Sequence, residues 1–204
     1  MIKGYYSLSV ISIFAFALAS CSGEDPQKED VPEMVTKVTL TFTPAAGTPI
    51  VISATDPDGE GIKDIVSDGP INLAKGTSYV MSIQLINGLA APTSDAYDVT
   101  AEVEDEGTEH MFFFAWTGDA FSNPEGDGNI DARNDAVRYE GGSNSKDASG
   151  LPLGITTSWT ASSIGTEGAS LRIMLKHQPG LKTVTADSKT GETDVDVSFP
   201  LNVK

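Results

Sequence analysis

VTKVTLTFT, residues 35–43, decides the fold. Val38, Leu40 and Phe42 alternate with Lys37, Thr39, Thr41 and Thr43, and a side-chain period of two belongs to a strand with one buried and one wet face. The same period returns in SLRIMLKHQ (170–178), where Leu171, Ile173 and Leu175 alternate with Arg172, Met174 and Lys176. It returns again in TDVDVSFPLNV (193–203), where Val195, Val197, Phe199, Leu201 and Val203 alternate with Asp194, Asp196, Ser198 and Asn202. PIVISAT (49–55), SYVMSIQLI (78–86), HMFFFAW (110–116) and ITTSWTAS (155–162) add further strands. Turn chemistry separates them: DPDGEG, SDGP, NPEGDGN, EGGSNSKDASG and QPG. Seven or eight short strands joined this way predict an all-β chain, a single antiparallel β-sandwich of immunoglobulin-like type over residues 34–204. No strand–helix alternation points to a parallel α/β sheet.

Local details follow from the same reading. Pro200 has no N–H to donate, which predicts an edge position for the last strand. Residues 118–150, rich in Gly, Asn and Asp, read as one long loop, of a length that is functional or disordered. In DVTAEVEDEGTEH (98–110), Thr100 is a candidate cap for a short helix that carries Glu102 and Glu106 and stops at Gly107. Val99, Glu102 and Val103 fit a strand as well. The run Phe112–Phe114 reads as a strand buried on both faces.

The N-terminus has a different character. Lys3 precedes GYYSLSVISIFAFAL (4–18), an apolar run that reads as a signal-peptide core over residues 1–20 rather than a spanning helix. LASC (18–21) then resembles the bacterial lipobox, with Cys21, the only cysteine of the chain, as the lipidated residue. Acyl chains contribute about 0.8 kcal/mol per buried CH₂, so several on one cysteine anchor a protein firmly. SGEDPQKEDVPE (22–33) is polar, acidic and proline-containing, so residues 21–33 read as a lipidated tether. Its start, SGED, is similar to the acidic signal that sends Bacteroidota lipoproteins to the cell surface.

Removal of residues 1–20 takes away Lys3 and no acid, leaving 12 basic against 29 acidic side chains, a net charge of −17. Such a surface repels nucleic acid and suits cations or a basic partner. With one cysteine no intramolecular disulfide can form, so the core holds by packing alone.

The order of several blocks carries a resemblance: INL (71–73) followed by TSYVMSIQL, the acidic stretch before EHMFFF, then FSNPEGDGNIDARNDAV, GLPLGITTSW, LRIMLKHQP and GETDVDVSF. Together they resemble a family of small Bacteroidota outer-membrane lipoproteins without known activity, often labelled as type 1 periplasmic-binding folds. The resemblance implies an outer-membrane location, at the cell surface or the periplasmic face. The label implies alternating strands and helices, which the period-two segments contradict. It implies no functional residues.

EDEGTEHMFFFAW (104–116) is the place where chemistry concentrates. Alternation sets His110 on the face of Phe112, Phe114 and Trp116, and His177 on the face of Leu171, Ile173 and Leu175. If the two strand ends meet, His110 and His177 with Glu106 and Glu109 make a ligand set for zinc or another divalent first-row ion. The other reading is that each histidine merely ends its own strand. Haem ligation by the pair is a further alternative. Calcium has two candidate loops, Asp56, Asp58 and Glu60 in DPDGEG and Asp127, Asn129 and Asp131 in EGDGNID, each incomplete: Ser67 stands where the first needs its closing glutamate, and Ile130 where the second needs glycine. Catalytic signatures are missing. There is no Gly-x-Ser-x-Gly elbow, phosphate loop or dinucleotide fingerprint, and close carboxylates carry no glycosidase signal in so acidic a chain. The expectation is a non-enzymatic envelope lipoprotein that binds a divalent metal or small ligand, with an outer-membrane transporter as the candidate recipient. The competing expectation is a structural lipoprotein that contacts another envelope protein and holds no small ligand.

Overall fold

The alternating segments become strands at the residues that carry the alternation. In the computed structural model, which describes residues 1, 33–59, 64–131 and 137–204, the strands are β1 (Lys37–Pro44), β2 (Ile50–Thr55), β3 (Val66–Ser67), β4 (Ile71–Leu73), β5 (Ser78–Ile86), β6 (His110–Trp116), β7 (Phe121–Asn123), β8 (Thr156–Ala161), β9 (Thr166–His177) and β10 (Glu192–Val203). They form two sheets, ordered β3-β2-β1-β5-β8-β7 and β4-β10-β9-β6. The chain is thus an all-β sandwich. Its six-plus-four strand order differs from the seven- and nine-strand immunoglobulin arrangements. The pairing is also not wholly antiparallel, because β4 joins β10 in parallel.

The inner faces close on one core, with Val38, Leu40 and Phe42 of β1 and Leu171, Ile173 and Leu175 of β9 all buried in it. An aromatic seam ties the sheets together. Trp159 of β8 lies 5.5 Å from Phe114 and 5.2 Å from Trp116, both of β6, in edge-to-face geometry. Such pairs add about 0.5–1.5 kcal/mol each beyond the area they bury.

β6 has no wet face, as the phenylalanine run predicts. Phe112, Phe114 and Trp116 enter the inter-sheet core, while Met111 and Phe113 pack with Ile130 and Met174 on the outer side. The cover comes from the segment expected to be one long loop. That segment contains β7 and then runs along the open edge of β6. Trp116 N–H donates to Asp127 O (2.9 Å), Asn129 N–H to Phe114 O (2.7 Å), and Phe114 N–H to Asn129 Oδ1 (2.8 Å). An unpaired edge next to so apolar a strand would invite aggregation. Gly128 makes the approach possible: its φ is +118°, and a Cβ there would stand 2.0 Å from Phe114 O. Tyr139 closes the cover by donating to Phe112 O (2.8 Å) and accepting from Asn129 Nδ2 (2.7 Å). Tyr139→Phe is expected to cost about 1–2 kcal/mol in urea unfolding, because it orphans a buried carbonyl and an amide together. An unchanged midpoint would show that this cover is held some other way.

Two local expectations are revised. Pro200 lies in β10, an inner strand by sheet order, but β4 pairs only with Leu201–Val203, so Pro200 stands just outside the doubly paired stretch. The short helix is real, α1 (Val99–Asp105), but its cap is Asp98, whose side chain accepts from Ala101 N–H. Thr100 Oγ1 instead accepts from Leu85 N–H (2.8 Å) and donates to Leu85 O (3.1 Å), which fastens α1 to β5. Val99 and Val103, one turn apart, fix its buried face.

Candidate metal centre

α1 ends at Asp105, and residues 106–109 form the turn that leads into β6. The turn is held from several sides. Glu109 N–H donates to Glu106 O (2.8 Å), and Gln178 N–H donates to Glu109 O (2.6 Å). Lys182 Nζ donates to Gly107 O and to His110 O, both at 2.7 Å. It also makes a buried ion pair with Asp147 Oδ2 at 2.8 Å. Lys182 and Asp147 come from two different loops, so the ammonium clamps both of them to the start of β6.

On that fixed platform His110 and His177 are direct cross-strand partners in the β6–β9 ladder. Both are buried. Their rings stack with centroids 4.5 Å apart and planes 3° from parallel. The carboxylate of Glu106 approaches them closely: one ligand atom from each of Glu106, His110 and His177 lies within 4.8 Å of the other two. Glu109 Oε2 is 3.7 Å from His177 Nε2, with its side chain 42% exposed, so it forms the solvent side of the group. Of the four expected ligands, Glu106, His110 and His177 come together, and Glu109 stands beside His177. Alternation alone reveals the shared face, since both histidines continue the inward positions of their strands.

A fifth group is present that alternation conceals. Asp194 Oδ2 lies 3.7 Å from His110 Nε2, and both side chains are fully buried. By period two Asp194 belongs on the wet face with Asp196. The β9–β10 register shifts between Thr193 and Val195, a β-bulge, and Asp194 is the residue it leaves without a partner in β9. Burial is the main reason that its carboxyl is pushed up to about 6 from the ordinary 3.8; the nearby His177, the Glu33 N–H and Lys176 pull the other way. No local sequence signal marks a bulge here. Lys182 is hidden likewise, inside a loop of ordinary turn composition.

The other sequence candidates separate from this group. Asp56 Oδ1 accepts from Asp58 N–H and Gly59 N–H, each at 3.1 Å, so this carboxylate shapes its own turn. Asp58 is exposed, and Glu60 lies outside the described residues. Asn129 uses Oδ1 on Phe114 and Nδ2 on Tyr139, while Asp127 and Asp131 are exposed. Residues 56–59 therefore form a turn and EGDGNID an edge cover; among the described residues the one grouping of His, Cys or acidic side chains compact enough for an ion is Glu106, His110 and His177. The two rings, stacked 4.5 Å apart on one rung, leave no space between them for a haem. Cys21 lies outside the described residues. Comparison with protein-family models, curated proteins and solved structures finds no match for this chain.

Proposed function

We propose that this chain is a lipid-anchored, non-enzymatic binding module of the bacterial outer membrane, and that its ligand is a divalent first-row metal ion. The observation that carries the reading is the rung on which His110 faces His177 with the Glu106 carboxylate beside them. Imidazole nitrogens with a charge-balancing carboxylate suit zinc and its neighbours; among the described residues no cysteine joins the group to favour softer ions. The surroundings support cation capture. An open trough of about 720 Å³, lined by Asp95, Asp98, Glu102, Asp105 and Glu106 without a basic residue, shares Glu106 with the site and sets negative potential beside it. No helix among the described residues is long and apolar enough to cross a membrane; in this reading attachment comes from acyl chains on Cys21.

The ring geometry adds a requirement. An imidazole lone pair lies in its ring plane, and planes 3° from parallel do not converge. An ion at roughly 2.0–2.1 Å from one nitrogen of each ring needs one ring to turn. Binding thus breaks the stack. The test is calorimetric zinc titration of residues 22–204, which contain every described element, beside a His110→Ala/His177→Ala double variant. Stoichiometric binding that disappears in the variant, with histidine ring resonances shifting in the parent, is the expected result. Absence of binding in the parent would overturn the metal reading.

A further inference from the structure

We propose that Asp194 is a direct ligand of the ion, which sits on the edge between Asp194 Oδ2 and His110 Nε2. This rests on the metal reading above and adds a residue that alternation assigns to solvent.

The first argument is the proton inventory of His110. Its Nδ1 lies 3.2 Å from Glu106 O. A carbonyl only accepts, so Nδ1 carries the proton, and in the neutral ring Nε2 then presents a lone pair. That lone pair faces Asp194 Oδ2 at 3.7 Å. Two buried acceptors facing each other repel unless something positive lies between them. A proton is one solution, but the separation exceeds hydrogen-bond reach. An ion with bonds of roughly 2.0–2.1 Å to each atom spans such a gap at an angle of about 130°.

The second argument is the carboxylate itself. Its side chain is fully buried. Oδ1 accepts from Glu33 N–H (3.4 Å), whereas Oδ2 makes no hydrogen bond among the described residues. A buried carboxylate oxygen in that condition is costly and rare in native proteins. The third argument is how it arrives. A bulge weakens a ladder locally, and bulges recur where a side chain must be re-aimed at a site. Here the bulge takes Asp194 away from Asp196 and Ser198 and points it at His110. Asp194 meets the compact Glu106–His110–His177 group through His110 alone; with the ring turn that the stack already requires, the two histidines and two carboxylates make up the four donors that zinc takes in a closed tetrahedral site. Glu109, beside His177 Nε2, then serves as the outer carboxylate that orients a ligating imidazole.

The experiment uses the mature protein and its Asp194→Asn variant, titrated with cobalt(II) and zinc, with folding checked by near-ultraviolet circular dichroism. Asparagine keeps the size and removes the charge. The expected result is a loss of affinity on the order of 100-fold, the upper end of what loss of a mere orienting partner causes, with an altered cobalt ligand-field band. Long-range ¹H–¹⁵N spectra of the zinc-bound parent are expected to show His110 metallated at Nε2. Equal affinity and an identical band in the variant would overturn the proposal while leaving a metal site of His110, His177 and Glu106 intact. Metallation of His110 at Nδ1 would also overturn it, and this readout needs no variant to fold. If the parent binds neither ion, the metal reading itself fails, and this proposal with it.

Discussion

Lys182→Met is expected to lower the free energy of unfolding by about 3–5 kcal/mol, a fall in Tm on the order of 10 °C for a domain of this size. The ammonium is 1% exposed and its partner Asp147 is fully buried. Methionine fills the space of the alkyl stem but supplies no donor. Asp147 would keep a buried charge without its counter-ion, and Gly107 O and His110 O would each lose a donor. Removal of one member of a buried pair is costly mainly for the charge left behind. Lys182→Met/Asp147→Asn is therefore expected to recover part of the loss. The amide is neutral, and its oxygen still accepts from Ser149 N–H and Leu151 N–H. Denaturant unfolding of the three proteins measures both effects. A single variant within about 1 kcal/mol of the parent would mean that Lys182 is solvated and does not clamp the turn. The same comparison bears on the metal centre, because the clamp ends on the backbone of His110. A loosened turn should weaken zinc binding in the single variant even where the fold survives.

How far such features can be read in advance depends on the range of the interaction that makes them. β1, β5, β8, β9 and β10 are legible because each carries its own alternation, and β2 and β6 because each is a compact apolar run, local properties of six to twelve residues. β3 and β7 are too short to show a period, and exist only because β2 and β8 offer them ladder partners. The parallel contact of β4 with β10 joins residues far apart in the chain, and nothing near Ile71 announces it. The stacked histidines stand between these cases. Alternation gives their common inward face, but the register that sets His110 opposite His177 is fixed by the whole β6–β9 ladder. Residues 118–150 look like free loop because the bonds from Asn129 and Tyr139 to the edge of β6 are long-range and leave no period in the segment itself. Asp194 is the sharpest case. Its neighbours obey the period, and one inserted residue in the ladder reverses its side.

That reversal has a thermodynamic signature in metal-free protein. The folded-state pKa of Asp194 is about 6, against 3.8 for an ordinary aspartate. An acid whose pKa rises on folding holds its proton more tightly in the fold, so between those two values the folded state binds more protons than the unfolded one. Stability then falls as pH rises through that window, and the full penalty, about 2–3 kcal/mol, is present above pH ~6. Most carboxylates in folded proteins act in the opposite sense, so the effect must be read as a difference. With chelator present, the stability of Asp194→Asn minus that of the parent is expected to be near zero below pH ~4 and to grow to about 2–3 kcal/mol in favour of the variant above pH ~6. Parallel curves across the range would show that Asp194 is solvated and the bulge does not bury it. Zinc should invert the order: an ion that binds the ionised carboxylate stabilises the parent by its binding free energy and stabilises the variant less. A parent less stable than Asp194→Asn without metal and more stable with it would mark the burial of Asp194 as a cost retained for a cation.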